Sequence, residues 1–140
     1  MRHGEYSDSL RALGYFLDNI GARNVEIAER DDFTSVTWVA LDGTVQHRTF
    51  IDAELEELRR ARRLERHGES RPDGLDTAEM LRTLGQEVEE EAAELLGIAE
   101  EEDGYRLSWV LSGQYRRLMY PRDEIRNLSL LRRAAAAARA

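Results

Sequence analysis

Three glutamates, Glu90, Glu91 and Glu94, stand in the string QEVEEEAAELL at residues 86–96. On one helix the spacing E-E-x-x-E gathers carboxylate oxygens, the hard ligand set that magnesium takes. Glu100 and Asp103 add an E-x-x-D pair shortly after. These carboxylates do not share a face with the apolar stripe Leu81, Leu84, Val88, so a solvated acidic helix face is the simpler reading, and no metal or other cofactor is expected. A second set of candidates joins aromatic to basic side chains. Trp38 and Trp109 lie in TSVTWVAL and YRLSWVL, and equivalent hairpin pairing would put Trp38 opposite His47 and Trp109 opposite Arg117. A cation beside an indole can hold an anionic or aromatic ligand, with about 0.5–2 kcal/mol from cation–π attraction. Indoles in the core, with the basic side chains reaching its rim, are the plainer expectation. The third set is Arg59, Arg62 and Arg63 in RRARR, with Arg132 and Arg133 further on. These can pair with the acidic helix, line a partner surface, or touch phosphates.

The acidic string resembles the magnesium-binding pattern of the all-α MazG-type nucleotide pyrophosphohydrolases. The resemblance implies an alternative function, metal-dependent nucleotide hydrolysis using Glu90, Glu91 and Glu94. It is confined to residues 86–103, and the chain beyond Asp103 reads as strands rather than as another helix of a bundle. Other signatures of catalysis are missing from the sequence. His3, His47 and His67 show no His-x-x-x-His or Glu-x-x-His spacing, and neither a G-x-S-x-G elbow nor a glycine-rich phosphate loop occurs. All 20 Lys and Arg positions are Arg, which excludes Schiff-base and P-loop lysine chemistry. The chain has no Cys, so disulfides, thiol nucleophiles and Cys-based zinc sites are excluded as well.

With 140 residues, 41% of them hydrophobic and 34% charged, the composition is that of one globular domain with a heavily charged surface. No apolar run reaches the roughly 18 residues of a membrane span, and MRHGEYSDSL lacks the apolar stretch of a signal peptide. A soluble, cytoplasmic protein is expected. The net charge of −8 hides a segregation: residues 73–104 carry twelve acids against Arg82 alone, whereas residues 105–140 carry eight Arg against two acids. Generic nucleic-acid binding is disfavoured by the total, although the Arg-rich second helices of the two halves leave a local basic face for it.

Residues 10–39 align without gaps on 81–110, and one dropped residue near Ala40 extends the match from Leu41 to Arg63 on Leu111 to Arg133. Seventeen of the 53 aligned positions are identical, among them Leu10, Leu13, Gly14, Ile27 and Trp38 with Leu81, Leu84, Gly85, Ile98 and Trp109. This predicts an internal repeat of two copies. Leu10, Leu13, Leu17, Ile20 and Leu81, Leu84, Val88, Ala92, Leu95 recur at helical spacing and open each half with an amphipathic helix. Strands come next, at 24–30, 34–41 and 45–50, and at 95–102, 105–111 and 115–120. Asp42-Gly43 and Ser112-Gly113 serve as hairpin turns. A helix closes each half, from about Asp52 to Arg66 and from about Arg122 to Arg139, behind Pro121.

The expected fold is therefore α+β: two fused α-β-β-β-α repeats, 1–66 and 77–140, joined by a linker at 67–76. A unit of some 60 residues buries too little surface to stand comfortably alone, so the two antiparallel three-stranded meanders should share one core about a pseudo-twofold axis. Gly14 and Gly85, inside helices where glycine costs about 1 kcal/mol relative to alanine, would mark a close helix crossing. In size, acidity and architecture the chain is similar to the small acidic α+β chaperones of bacterial secretion systems. The expected function is a non-catalytic protein-interaction or small-ligand-binding module, chaperone-like or regulatory, whose partner is another protein or a second copy in a weak homodimer.

Overall fold

The computed structural model describes residues 1, 4–64 and 77–139, with the side chains of 62–64 outside the description. The elements run α1 (Tyr6–Asn19), β1 (Arg23–Glu29), β2 (Thr34–Val39), β3 (Val45–Phe50), α2 (Asp52–Leu64), α3 (Thr77–Glu90), β4 (Glu94–Glu101), β5 (Gly104–Leu111), β6 (Gln114–Pro121) and α4 (Arg122–Arg139). The order helix, three strands, helix thus occurs twice, and the expected linker at 67–76 lies outside the described residues.

All strand pairs are antiparallel, and they form one six-stranded sheet in the order β3-β2-β1-β4-β5-β6. The two meanders are therefore joined edge to edge through β1 and β4. At that seam Ile27 lies opposite Ile98, flanked by Glu26 opposite Ala99 and Ala28 opposite Gly97. Alternation sorts each strand onto two faces. Val25, Ile27, Val36, Trp38, Leu95, Ile98, Tyr105 and Leu107 point to the helices and are buried, together with Leu10, Leu13, Leu17, Leu81, Leu84 and Val88 from α1 and α3. Burial of each large aliphatic side chain contributes about 1.5–3 kcal/mol. The opposite set, including Glu26, Ala28, Ser35, Thr37, Ala99, Arg106 and Ser108, is half-buried or exposed and joins no core cluster.

In the helical layer α1 and α3 pack on each other, α2 against α1, and α4 against α3. Glycine permits the central crossing. A Cβ added at Gly85 would stand 2.8 Å from both Cα and N of Ser7, and one at Gly14 would fall closer still on Cα of Ala78. The same antiparallel approach caps both helices. Ser7 donates its backbone N–H to Oε1 of Glu89 at 2.9 Å, and Ala78 donates its own to Oδ2 of Asp18 at 3.4 Å. Each carboxylate satisfies a first-turn amide that the helix itself leaves unbonded.

Three elements differ from the sequence reading. The periodicity running through Ala92 and Leu95 stops early: α3 ends at Glu90, Ala92 takes a left-handed φ of 55°, and Ala93 N–H bonds back to the Val88 carbonyl at 3.1 Å. Leu95 is consequently a strand residue. Pro121 closes β6, opposite Gly104, rather than opening α4. The third difference is the hairpin register, which bears on the candidate site.

Candidate functional site

The tryptophans and their expected basic neighbours sit on opposite faces of the sheet. Trp38 pairs with Gln46 and Trp109 with Arg116, while His47 lies opposite Thr37 and Arg117 opposite Ser108. The first hairpin loop is one residue longer than the expected Asp42-Gly43 turn, and the second is one residue shorter than the pairing of Trp109 with Arg117 requires. In the first, Ala40 N–H donates to the Thr44 carbonyl at 2.8 Å around a three-residue loop. In the second, Leu111 pairs with Gln114 around Ser112 and Gly113, both at positive φ (51° and 77°), the conformation of a two-residue primed turn. A one-residue slip exchanges the faces. Trp38 thus packs edge-on to Phe16 in the core, with ring centroids 5.9 Å apart, and Arg48 lies over Phe50 at 4.4 Å. Trp109, half-buried, keeps its indole nitrogen enclosed without a hydrogen-bond partner among the described residues. His47 bonds Thr37 Oγ1 through Nδ1 at 3.1 Å.

Glu90, Glu91 and Glu94 do not share a helix. Glu90 is the last residue of α3, Glu91 lies in the turn, and Glu94 opens β4. Arg132 bonds Glu90 at 2.5 Å and Glu87 at 2.9 Å, and its hydrogen bond holds the Glu90 carboxyl below the usual range. Among the described residues no three His, Cys, Asp or Glu side chains gather as a metal would need.

Arg59, Arg132 and Arg133 are engaged inside the chain. Arg59 pairs with Glu5 at 3.3 Å and with Glu56, and Arg133 reaches Glu79 at 3.5 Å. Glu79, 8% exposed, also receives Arg11 and Arg82 at 3.6 and 3.5 Å, so three guanidiniums from α1, α3 and α4 meet at one carboxylate. That junction is invisible in sequence because its members are far apart along the chain. The side chains of Arg62 and Arg63 lie outside the described residues, as do His3 and His67. An open hollow of about 340 Å³ sits by the first turn of α2, lined by Glu5, Asp52, Ala53, Glu56 and Arg59. Its charges are paired with one another and, through Asp52, with the Met1 amine at 3.2 Å.

Another pair of features stands out by exposure. Among the described residues the outermost strands β3 and β6 each pair on one side only, and the first five residues of both are exposed. Val45, Tyr115 and Leu118 are 71%, 60% and 49% exposed. Neither strand carries an acid: β3 brings His47 and Arg48, and β6 brings Arg116 and Arg117. The acids of the sheet lie at its centre, with Glu26 and Glu29 on β1 and Glu94, Glu100 and Glu101 on β4. Arg117 makes no ion pair among the described residues.

A scan against protein-family models finds no match to this chain, and searches of curated proteins and of solved structures return no significant match either. Among the described residues no helix is long and apolar enough to cross a membrane.

Proposed function

We propose that the chain is a non-catalytic protein-interaction module, chaperone-like or regulatory in kind, assembled from two fused repeats about a pseudo-twofold axis. The repeat reading is supported by correspondences at a constant offset of 71. Ile27 faces Ile98, Gly14 meets Ala78 as Gly85 meets Ser7, and Asp18 caps α3 as Glu89 caps α1. The interaction reading rests on one observation, the pair of exposed, acid-free edge strands at the two ends of the sheet. Unpaired strand backbone is a template for another chain, which proteins leave open where a partner uses it and otherwise blunt with charge.

Photo-crosslinking tests this reading. A benzophenone side chain placed at Val45 or Tyr115 should capture protein partners in cells, whereas one at Arg60 on α2 should not. Equal capture from all three positions, or none at the edges, would count against the module. Magnesium titration by calorimetry separates the reading from nucleotide hydrolysis by Glu90, Glu91 and Glu94. No heat of binding is expected, and saturable heat with nucleotide turnover would favour the enzyme. Weak self-association is a second reading, supported by Glu91, Glu94 and Glu102, which form no ion pair among the described residues. A dimer of that kind should dissociate as salt rises, since exposed charges are screened over about 8 Å at physiological ionic strength.

A further inference from the structure

We infer that the outer edge of β6 is a docking strand for an extended acidic segment of a partner protein, with the local pattern apolar-acid-acid-apolar. The inference rests on the interaction-module reading and names its site and partner chemistry. β6 is eight residues long, bonded among the described residues to β5 alone, exposed over its first five residues, and leads at once into α4, which packs on α3. Backbone groups along such an edge supply affinity to any added strand, and the side chains supply the choice.

Arg116 and Arg117 are adjacent and so project to opposite faces. A strand laid alongside meets one guanidinium on each face, which calls for two consecutive acids. Leu118 lies on the same face as Arg116, and Tyr115 on the same face as Arg117. Both are exposed, which calls for an apolar residue on each side of the acids. The pattern reads the same in either chain direction, so parallel and antiparallel addition both satisfy it. Among the described residues neither Arg116 nor Arg117 forms an ion pair. The only charge on β5 is Arg106, which is already joined to Glu101.

The alternatives fit less well. Pairing β6 with β6 of a second copy would crowd four guanidiniums, and like charges opposite one another destabilise a ladder. Pairing it with β3 would oppose Arg116 and Arg117 to His47 and Arg48. β3 is also the poorer acceptor, being two residues shorter, with Arg48 held against Phe16, Phe50 and Glu54.

The test is fluorescence anisotropy of a labelled decapeptide with a central Val-Glu-Glu-Val against the full chain. Its controls are a Val-Arg-Arg-Val peptide and two acidic peptides N-methylated at alternate amides. The acidic peptide should bind, one of the two methylated sets should abolish binding, and the Arg-Arg peptide should not bind. In the doubly reversed protein R116E/R117E affinity for the acidic peptide should fall by about tenfold or more. The reversed protein should bind the Arg-Arg peptide instead, which shows that it is folded. Binding indifferent to methylation or to charge reversal would overturn the inference, as would no binding at all. If peptides fail while crosslinks still form at Val45, the assignment to β6 falls and the module reading stands. If neither edge captures a partner, both fall.

Discussion

Gly85 and Gly14 hold the close backbone approach of α1 and α3, and alanine at either position would drive a methyl group into the opposing helix. G85A should therefore lower stability by about 1–3 kcal/mol, read as a fall in the urea midpoint, despite the gain in helix propensity. Ala92 presents the opposite case. It holds a left-handed φ of 55° at the end of α3, where Gly21 occupies the matching place after α1 with a φ of 67°. A non-glycine residue there costs about 1 kcal/mol, so A92G should raise the same midpoint by roughly that amount. Glu29 supplies a pH dependence. Burial raises its carboxyl to about 7, against the opposing pull of the Met1 amine 3.6 Å away. The folded chain then binds this proton more tightly than the unfolded chain, so the contribution is complete below about 4.5 and is lost as pH rises through 7. The urea midpoint should fall as pH is raised through that window, and E29Q should flatten the fall.

The elements are legible in sequence where two signals agree. Apolar period-two runs between turn dipeptides locate the strands to within a residue or two, and the leucine spacing of α1 together with the span of α4 reads directly. Where one signal speaks alone, it misleads. The string EEEAAELL has helix formers throughout, so nothing local announces that Ala92 turns the chain and sends Glu94 into β4. Hairpin register depends on loop closure by a single residue, and the composition of the strands is compatible with either closure. Core tryptophans are the plainer expectation and Trp38 is buried, but the basic side chains expected beside them belong to the far face. The junction at Glu79 and the caps from Glu89 and Asp18 exist only through tertiary approach. Arg132, which ties α4 to Glu87 and Glu90, gives an element-scale prediction. R132A should weaken the docking of α4 by about 0.5–1 kcal/mol. The change should appear as faster amide exchange in α4 and shrink with added salt.

Across the whole molecule, helix capping and strand pairing join the chain at its middle and leave two edge strands at the ends of the sheet. α1 and α3 cap each other and β1 pairs with β4, so each half completes the other. An isolated half would expose both the β1 or β4 edge and the glycine face of its helix. At the ends, β3 and β6 carry cations without neighbouring acids on their own strands, and the proposed partner surface lies there. The seam between β1 and β4 should therefore be the last part of the sheet to open. Native-state hydrogen exchange resolved by residue measures that directly. Amides of β1 and β4 that bond across the seam should exchange only through global unfolding, with one common free energy that matches the urea value. Outward amides of β3 and β6 should exchange orders of magnitude faster until a partner covers them. If the two halves instead open at separate free energies, with β1 exchanging independently of β4, the central claim of one core shared by two mutually completing halves would be contradicted.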